Sequence, residues 1–118
     1  MKIKGGQFLV TGGAGFIGSN LVRFLLEKEA KRIVVFDNFL RGTITNLDEE
    51  LKNSRVSVFS GNNDLRDFNS IKEACKEIDG VFHLASLCLA HCQKEPRMGF
   101  DINVVGTHNL LEACSYNG

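Results

Sequence analysis

The chain is poor in the features that mark most specialised proteins. Its 118 residues include one proline, Pro96, one tyrosine, Tyr116, and no tryptophan. No internal repeat, low-complexity tract or linker breaks it up, so a single folding unit is expected. A chain of this size buries roughly two thirds of its unfolded surface. Charge of one sign is missing as well, since 14 basic residues face 14 acidic ones. No overall field therefore draws the chain to nucleic acid or to an anionic membrane, and no run of five or more basic residues appears. No apolar stretch approaches the ~20 residues of a membrane span. The opening Met1-Lys2-Ile3-Lys4-Gly5-Gly6 lacks the apolar segment of roughly 7–15 residues found in a secretory signal. Neither nucleic acid nor membrane is expected as a partner. Cys75, Cys88, Cys92 and Cys114 are too sparse for a disulfide scaffold. They read as free thiols in a reducing compartment, which makes the cytoplasm the expected location.

What is present is an alternation of short apolar runs with amphipathic segments of helical length, the pattern of βαβ units on a parallel sheet. Gln7–Thr11 (QFLVT) reads as a strand buried on both faces, because its apolar run is continuous. A glycine-rich turn leads into a helix over about Gly15–Lys28, with Ile17, Leu21, Phe24 and Leu25 at helical spacing. Arg32–Phe36, Arg55–Phe59 and Gly80–Ala85 read as three further strands. Residues 38–53 read as a polar connection with a short helix in Asn46–Lys52. Asn69–Glu77 reads as a helix, and a last helix over about Arg97–Tyr116 carries an apolar face wide enough to pack on a sheet. Right-handed crossovers then give an α/β fold with a Rossmann-like, doubly wound parallel sheet, of which the first half is present in the order 3-2-1-4.

The turn Thr11-Gly12-Gly13-Ala14-Gly15-Phe16-Ile17-Gly18 lies between the first strand and the first helix. There the chain must leave the strand and enter the helix with its amides facing a diphosphate, a geometry that glycine permits and a Cβ obstructs. Gly18, one turn into the helix, lets that helix lie close on the strand. Asp37 follows at the tip of the second strand, 19 positions after Gly18. Its carboxylate can accept hydrogen bonds from both ribose hydroxyls of an adenosine and would repel a 2′-phosphate. NAD is the cofactor this points to, with NADP left open by the nearby Arg41.

In order along the chain, TGGAGFIGSNLV, VVFDNFLRG, NDLRD, VFHLAS and NVVGTHNLLEAC resemble the extended short-chain dehydrogenase/reductase family. The nearest branch is that of the nucleotide-sugar epimerases and dehydratases, UDP-glucose 4-epimerase-like enzymes among them. The resemblance implies that Gly12, Gly15, Phe16 and Ile17 line the pyrophosphate and that Asp37 and Asn38 hold the adenosine ribose. It further implies that Asp64 and Leu65 meet the adenine and that Leu84, Ala85 and Ser86 run under the cofactor. Asn103 matches an asparagine that supports the central strands. Each position has a plainer reading: Asp64 could cap the helix that follows, Leu84 and Ala85 could be core, and Asn103 could satisfy backbone groups between elements. Two departures stand out. Asn63 replaces the family's usual glycine, where asparagine's tolerance of left-handed backbone would preserve the turn, and Ser86 replaces a common alanine.

Cys88, His91 and Cys92, with His83 nearby, make half a ligand set, so no metal site is expected. His83, inside an apolar strand, reads as a hydrogen-bonded core residue, and His108 falls on a polar helix face. The family's chemistry uses a Tyr-x-x-x-Lys pair, which the resemblance implies should accompany the site. Tyr116 is the only tyrosine, with no lysine four positions on. The expectation is therefore an N-terminal portion (1–118) of an NAD-binding domain, without catalytic residues and inactive alone, whose second half-sheet and nucleotide-sugar domain are absent. Its fourth strand would be an open edge, favouring marginal stability or self-association. A non-catalytic nucleotide-binding module and an edge-pairing interaction unit are the alternatives.

Overall fold

Side chains alternate across a β-strand, and here that alternation feeds two cores. The computed structural model describes residues 2–118, and Met1 lies outside them. The strands β1 (Gln7–Thr11), β2 (Arg32–Phe36), β3 (Val56–Val58) and β4 (Gly80–His83) form one parallel sheet in the order β3-β2-β1-β4. Phe8, Val10, Ile33 and Val35 point to one face, where Val22 and Leu25 of helix α1 (Phe16–Glu27) cover them. Leu9, Val34 and Phe36 point to the other face. Ile71 and Ala74 of α2 (Phe68–Ala74) and Leu110 and Ala113 of α5 (Gly106–Asn117) close that side. Burial on both faces explains why β1 and β2 read as unbroken apolar runs.

The expected sheet order and main helices are present, and the differences are local. The short helix expected in Asn46–Lys52 is instead two 3₁₀ turns, Ile44–Leu47 and Glu50–Lys52. Helix α2 starts at Phe68 because Asp67 caps it, accepting from the Ser70 amide at 3.2 Å. A short helix α3 (Leu89–Lys94) lies between the fourth strand and the last helical segment. The last helical segment runs as α4 (Pro96–Phe100), a π-helical turn at Asp101–Val105, and then α5. Strand β4 stops at His83, short of the expected Ala85, because the next two amides bend toward Thr11. Among the described residues β4 has β1 as its one strand neighbour, so it forms an edge of the sheet.

All four strands run the same way, which brings the loops after β1, β2, β3 and β4 together at the carboxyl end of the sheet. In open α/β sheets this is where ligands bind.

Candidate functional site

Of the four glycines in the β1–α1 turn, Gly12, Gly15 and Gly18 have different surroundings. Gly12 has a φ of +71°, and a Cβ there would lie 2.8 Å from the Ala85 nitrogen. Gly18 lies so close to the turn that a Cβ would fall on the Gly12 carbonyl oxygen. Both glycines are required by the protein's own packing. Gly15 differs, because a Cβ there would meet Gly12 O alone, at 3.4 Å, an ordinary contact. Gly15 lines an open groove, and the protein's own packing does not demand glycine there. Helix α1 begins beside it with no side-chain cap and no acidic residue in its first turn. Its leading amides and the positive end of its dipole are thus left facing outward, a suitable seat for an anion.

Asp37 forms the second wall. It is 8% exposed, with Oδ2 accepting from the Ala14 amide at 2.9 Å and Oδ1 from the Phe39 amide at 2.8 Å. The carboxylate therefore cross-links the glycine turn to the β2 tip, and two amides use only part of its acceptor capacity. Asn63 completes this wall. Its Oδ1 accepts from the Asp37 amide at 3.1 Å, and its Nδ2 donates to Phe59 O and Gly61 O. The expectation of a left-handed asparagine is corrected here, since Asn63 is not among the residues with positive φ. Its side chain, rather than its backbone, does the work.

The third wall follows β4. Thr11 Oγ1 accepts from the Leu84 and Ala85 amides at 3.1 and 3.2 Å and lies 2.6 Å from His83 Nδ1. Asn103 brackets Leu87, accepting from its amide at 2.7 Å and donating to its carbonyl at 3.1 Å. Between these anchors, Leu84, Ala85 and Ser86 border the groove.

Of the residues singled out from sequence, Gly12, Gly15, Asp37, Asn38, Asp64, Leu65, Leu84, Ala85 and Ser86 line one groove. Phe16 and Ile17 sit beyond it on the first turn of α1, 83% and 68% exposed, and Gly18 is buried under that turn. Asn103 serves backbone groups of the β4 loop rather than lining the groove. Asp64 does not cap α2, the role taken by Asp67. Instead its carboxylate pairs with Arg66, whose guanidinium lies at 2.8 Å and holds the Asp64 carboxyl below the usual range. Arg41 also lines the groove. Beside it, the His91 amide and the Arg41 charge lower the Cys88 thiol, whereas burial and the neighbouring Cys114 push Cys75 up to about 12. Cys88 Sγ lies 3.8 Å from His91 Nδ1, and among the described residues no group of three or more His, Cys, Asp or Glu is placed to hold a metal ion. Nor is any described helix long and apolar enough to cross a membrane.

A parallel β3-β2-β1-β4 sheet with a glycine turn and an acidic β2 tip at its carboxyl end defines a Rossmann-like fold. Residues 9–118 match the 3-beta hydroxysteroid dehydrogenase/isomerase family, and the chain belongs to that family, within the extended short-chain dehydrogenases/reductases that include nucleotide-sugar epimerases and dehydratases. It is 38% identical to CDP-paratose 2-epimerase of Salmonella typhi, over 94% of this chain and 33% of that protein. Similarity to human 3 beta-hydroxysteroid dehydrogenase type 7 is 34%, over 94% of this chain and 30% of the relative. Among solved structures, dTDP-glucose 4,6-dehydratase DesIV of Streptomyces venezuelae, solved with NAD bound, superposes with a TM-score of 0.86. That match has 30% identity and covers 95% of this chain and 36% of the other. The chain thus spans about a third of the length of the relatives it matches.

Proposed function

We propose that these 118 residues hold the ADP half of NAD and form the first part of the dinucleotide-binding domain of an epimerase or dehydratase acting on nucleotide sugars. The observation that carries this reading is the clear space at Gly15. The fold itself tolerates a Cβ there, yet the position is glycine at the open mouth of a helix N-terminus. A pyrophosphate placed there would meet the first-turn amides of α1 and the Gly12–Gly15 backbone. Asp37, with acceptor capacity left after its two amide bonds, would take the ribose hydroxyls, with Asn38 beside it. Asp64 and Leu65 would border the adenine, and Leu84, Ala85 and Ser86 would support the middle of the cofactor.

When bound, NAD supplies the acceptor for a hydride from a secondary alcohol. The residues of this chain bind and orient, and proton transfer falls to groups outside it. Nucleotide sugars are the favoured substrate class because identity to the Salmonella epimerase is 38%, against 34% to the human steroid dehydrogenase over the same share of this chain. A 3β-hydroxysteroid is the second reading, favoured by the family model.

Calorimetric titration of the chain with NAD, ADP and NADP tests the binding claim. ADP should bind within about threefold of NAD, since the proposed contacts lie on that half. NADP should bind about tenfold more weakly, because its 2′-phosphate would meet the Asp37 carboxylate. Equal affinity for NAD and NADP would remove Asp37 from its proposed role. Assay of the intact gene product for keto-sugar formation against steroid oxidation separates the two substrate classes.

A further inference from the structure

His83 lies between the glycine turn and helix α5, and its hydrogen bonds can be satisfied in only one way. Thr107 Oγ1 donates its single proton to Asn103 O at 2.6 Å. Toward His83 Nε2, 3.0 Å away, Thr107 can therefore only accept, so Nε2 carries a hydrogen. In a neutral imidazole Nδ1 is then a bare acceptor, and the hydroxyl of Thr11, 2.6 Å away, donates to it. That leaves both lone pairs of Thr11 Oγ1 for the Leu84 and Ala85 amides. The Leu84 amide also reaches the Thr11 carbonyl at 3.1 Å, whereas Oγ1 is the acceptor that holds the Ala85 amide.

We propose that His83 is a positioning residue: as the neutral Nε2–H tautomer it orients the Thr11 hydroxyl, which in turn fixes Ala85 at the floor of the nucleotide groove. The polar neighbours of the ring are Thr11 from β1 and Thr107 from α5, and neither ring nitrogen takes part in an ion pair among the described residues. An imidazolium would set a second N–H against a hydroxyl whose lone pairs are already used. Burial also holds the ring below the ordinary histidine range, in keeping with a neutral ring. The floor matters because Gly12 and Ala85 are in close approach, so a shift of Ala85 moves the surface on which the cofactor would lie.

The inference rests on the NAD reading for its ligand but not for its geometry, and the test separates the two. Wild type, His83→Phe and His83→Asn are compared by imidazole nitrogen NMR, by hydrogen exchange of the Ala85 amide and by NAD titration. In wild type, Nε2 should be protonated and Nδ1 bare. His83→Phe should speed Ala85 exchange and weaken NAD about tenfold, the effect of losing roughly one hydrogen bond. His83→Asn, whose Oδ1 can replace Nδ1 as acceptor, should restore both to within about threefold. An Nδ1–H tautomer in wild type, unchanged Ala85 exchange in the Phe variant, or an Asn variant no better than Phe would overturn the proposal. Failure of wild type to bind NAD would sink the reading of the groove, while the tautomer and the Ala85 exchange would still decide the role of His83.

Discussion

The two sides of the groove are built differently. On the β2 side, backbone meets backbone or a single short side chain: Gly12 N donates to Phe36 O at 2.8 Å, and Asp37 gathers the Ala14 and Phe39 amides. On the β4 side, a relay of side chains from three elements does the same job, with Thr11, His83 and Thr107 linked across 72 and then 24 positions of sequence. The first construction depends on residues that must be small or acidic. The second depends on hydroxyls and an imidazole that must be oriented. A rigid wall and an orientable wall then face one another across the same space.

The largest effect should come from filling the close approach on the rigid side. Gly18→Val would drive a side chain into the Gly12 carbonyl, and Gly12→Ala would combine a φ of +71° with a Cβ 2.8 Å from Ala85 N. Each should cost about 2–4 kcal/mol, the usual range for overpacking and backbone strain together. Thermal unfolding followed by circular dichroism measures this, and an unchanged midpoint would mean that the walls are not in contact at Gly12. A smaller loss, about 1–2 kcal/mol, should follow Asn63→Gly, which restores the family's usual residue but removes three hydrogen bonds, one of them to the Asp37 amide. Urea unfolding should show it. A gain in stability would mean that Asn63 is a tolerated replacement rather than part of the wall.

The smallest effect concerns pH. The Arg66 guanidinium lowers the Asp64 carboxyl in the folded chain, so this pair contributes stability above the unfolded value, about 3.9. That contribution is lost as pH falls through the lower folded value. Both side chains are partly solvated, so the contribution should stay below about 0.5 kcal/mol. Asp64→Asn should remove just this part of the acid-side slope in a series of unfolding curves. A loss several times larger would place Asp64 in a tighter network than its single ion pair.

The difference between the walls also explains what is legible in the sequence alone. The glycine turn, the Asp37 tip and the 3-2-1-4 order were legible because each rests on a short motif or a continuous apolar run. Nine of the thirteen residues singled out line the groove, and the exceptions are instructive. Gly18 and Asn103 act through packing and backbone bonds, and Phe16 and Ile17 are exposed on the first turn of α1 without lining the groove. His83 was legible as a hydrogen-bonded residue, although it is half-buried rather than in the core, and its partners were not legible because no local pattern relates Thr11 to Thr107. Asn63 was misjudged for the same reason. Its bonds reach Asp37, 26 positions away, whereas local reasoning had only its backbone to consider.

Gly15 is the position where the proposed ligand, and not the fold, calls for glycine, and it tests the proposal most directly. NAD titration of Gly15→Val against wild type, with thermal unfolding of both, is the decisive measurement. The account predicts that the variant stays folded, with a cost of about 1 kcal/mol for placing valine at a helix N-cap. It also predicts that NAD affinity falls roughly tenfold or more, because the new side chain occupies the place kept for the pyrophosphate. A folded Gly15→Val chain that binds NAD as tightly as wild type would contradict it.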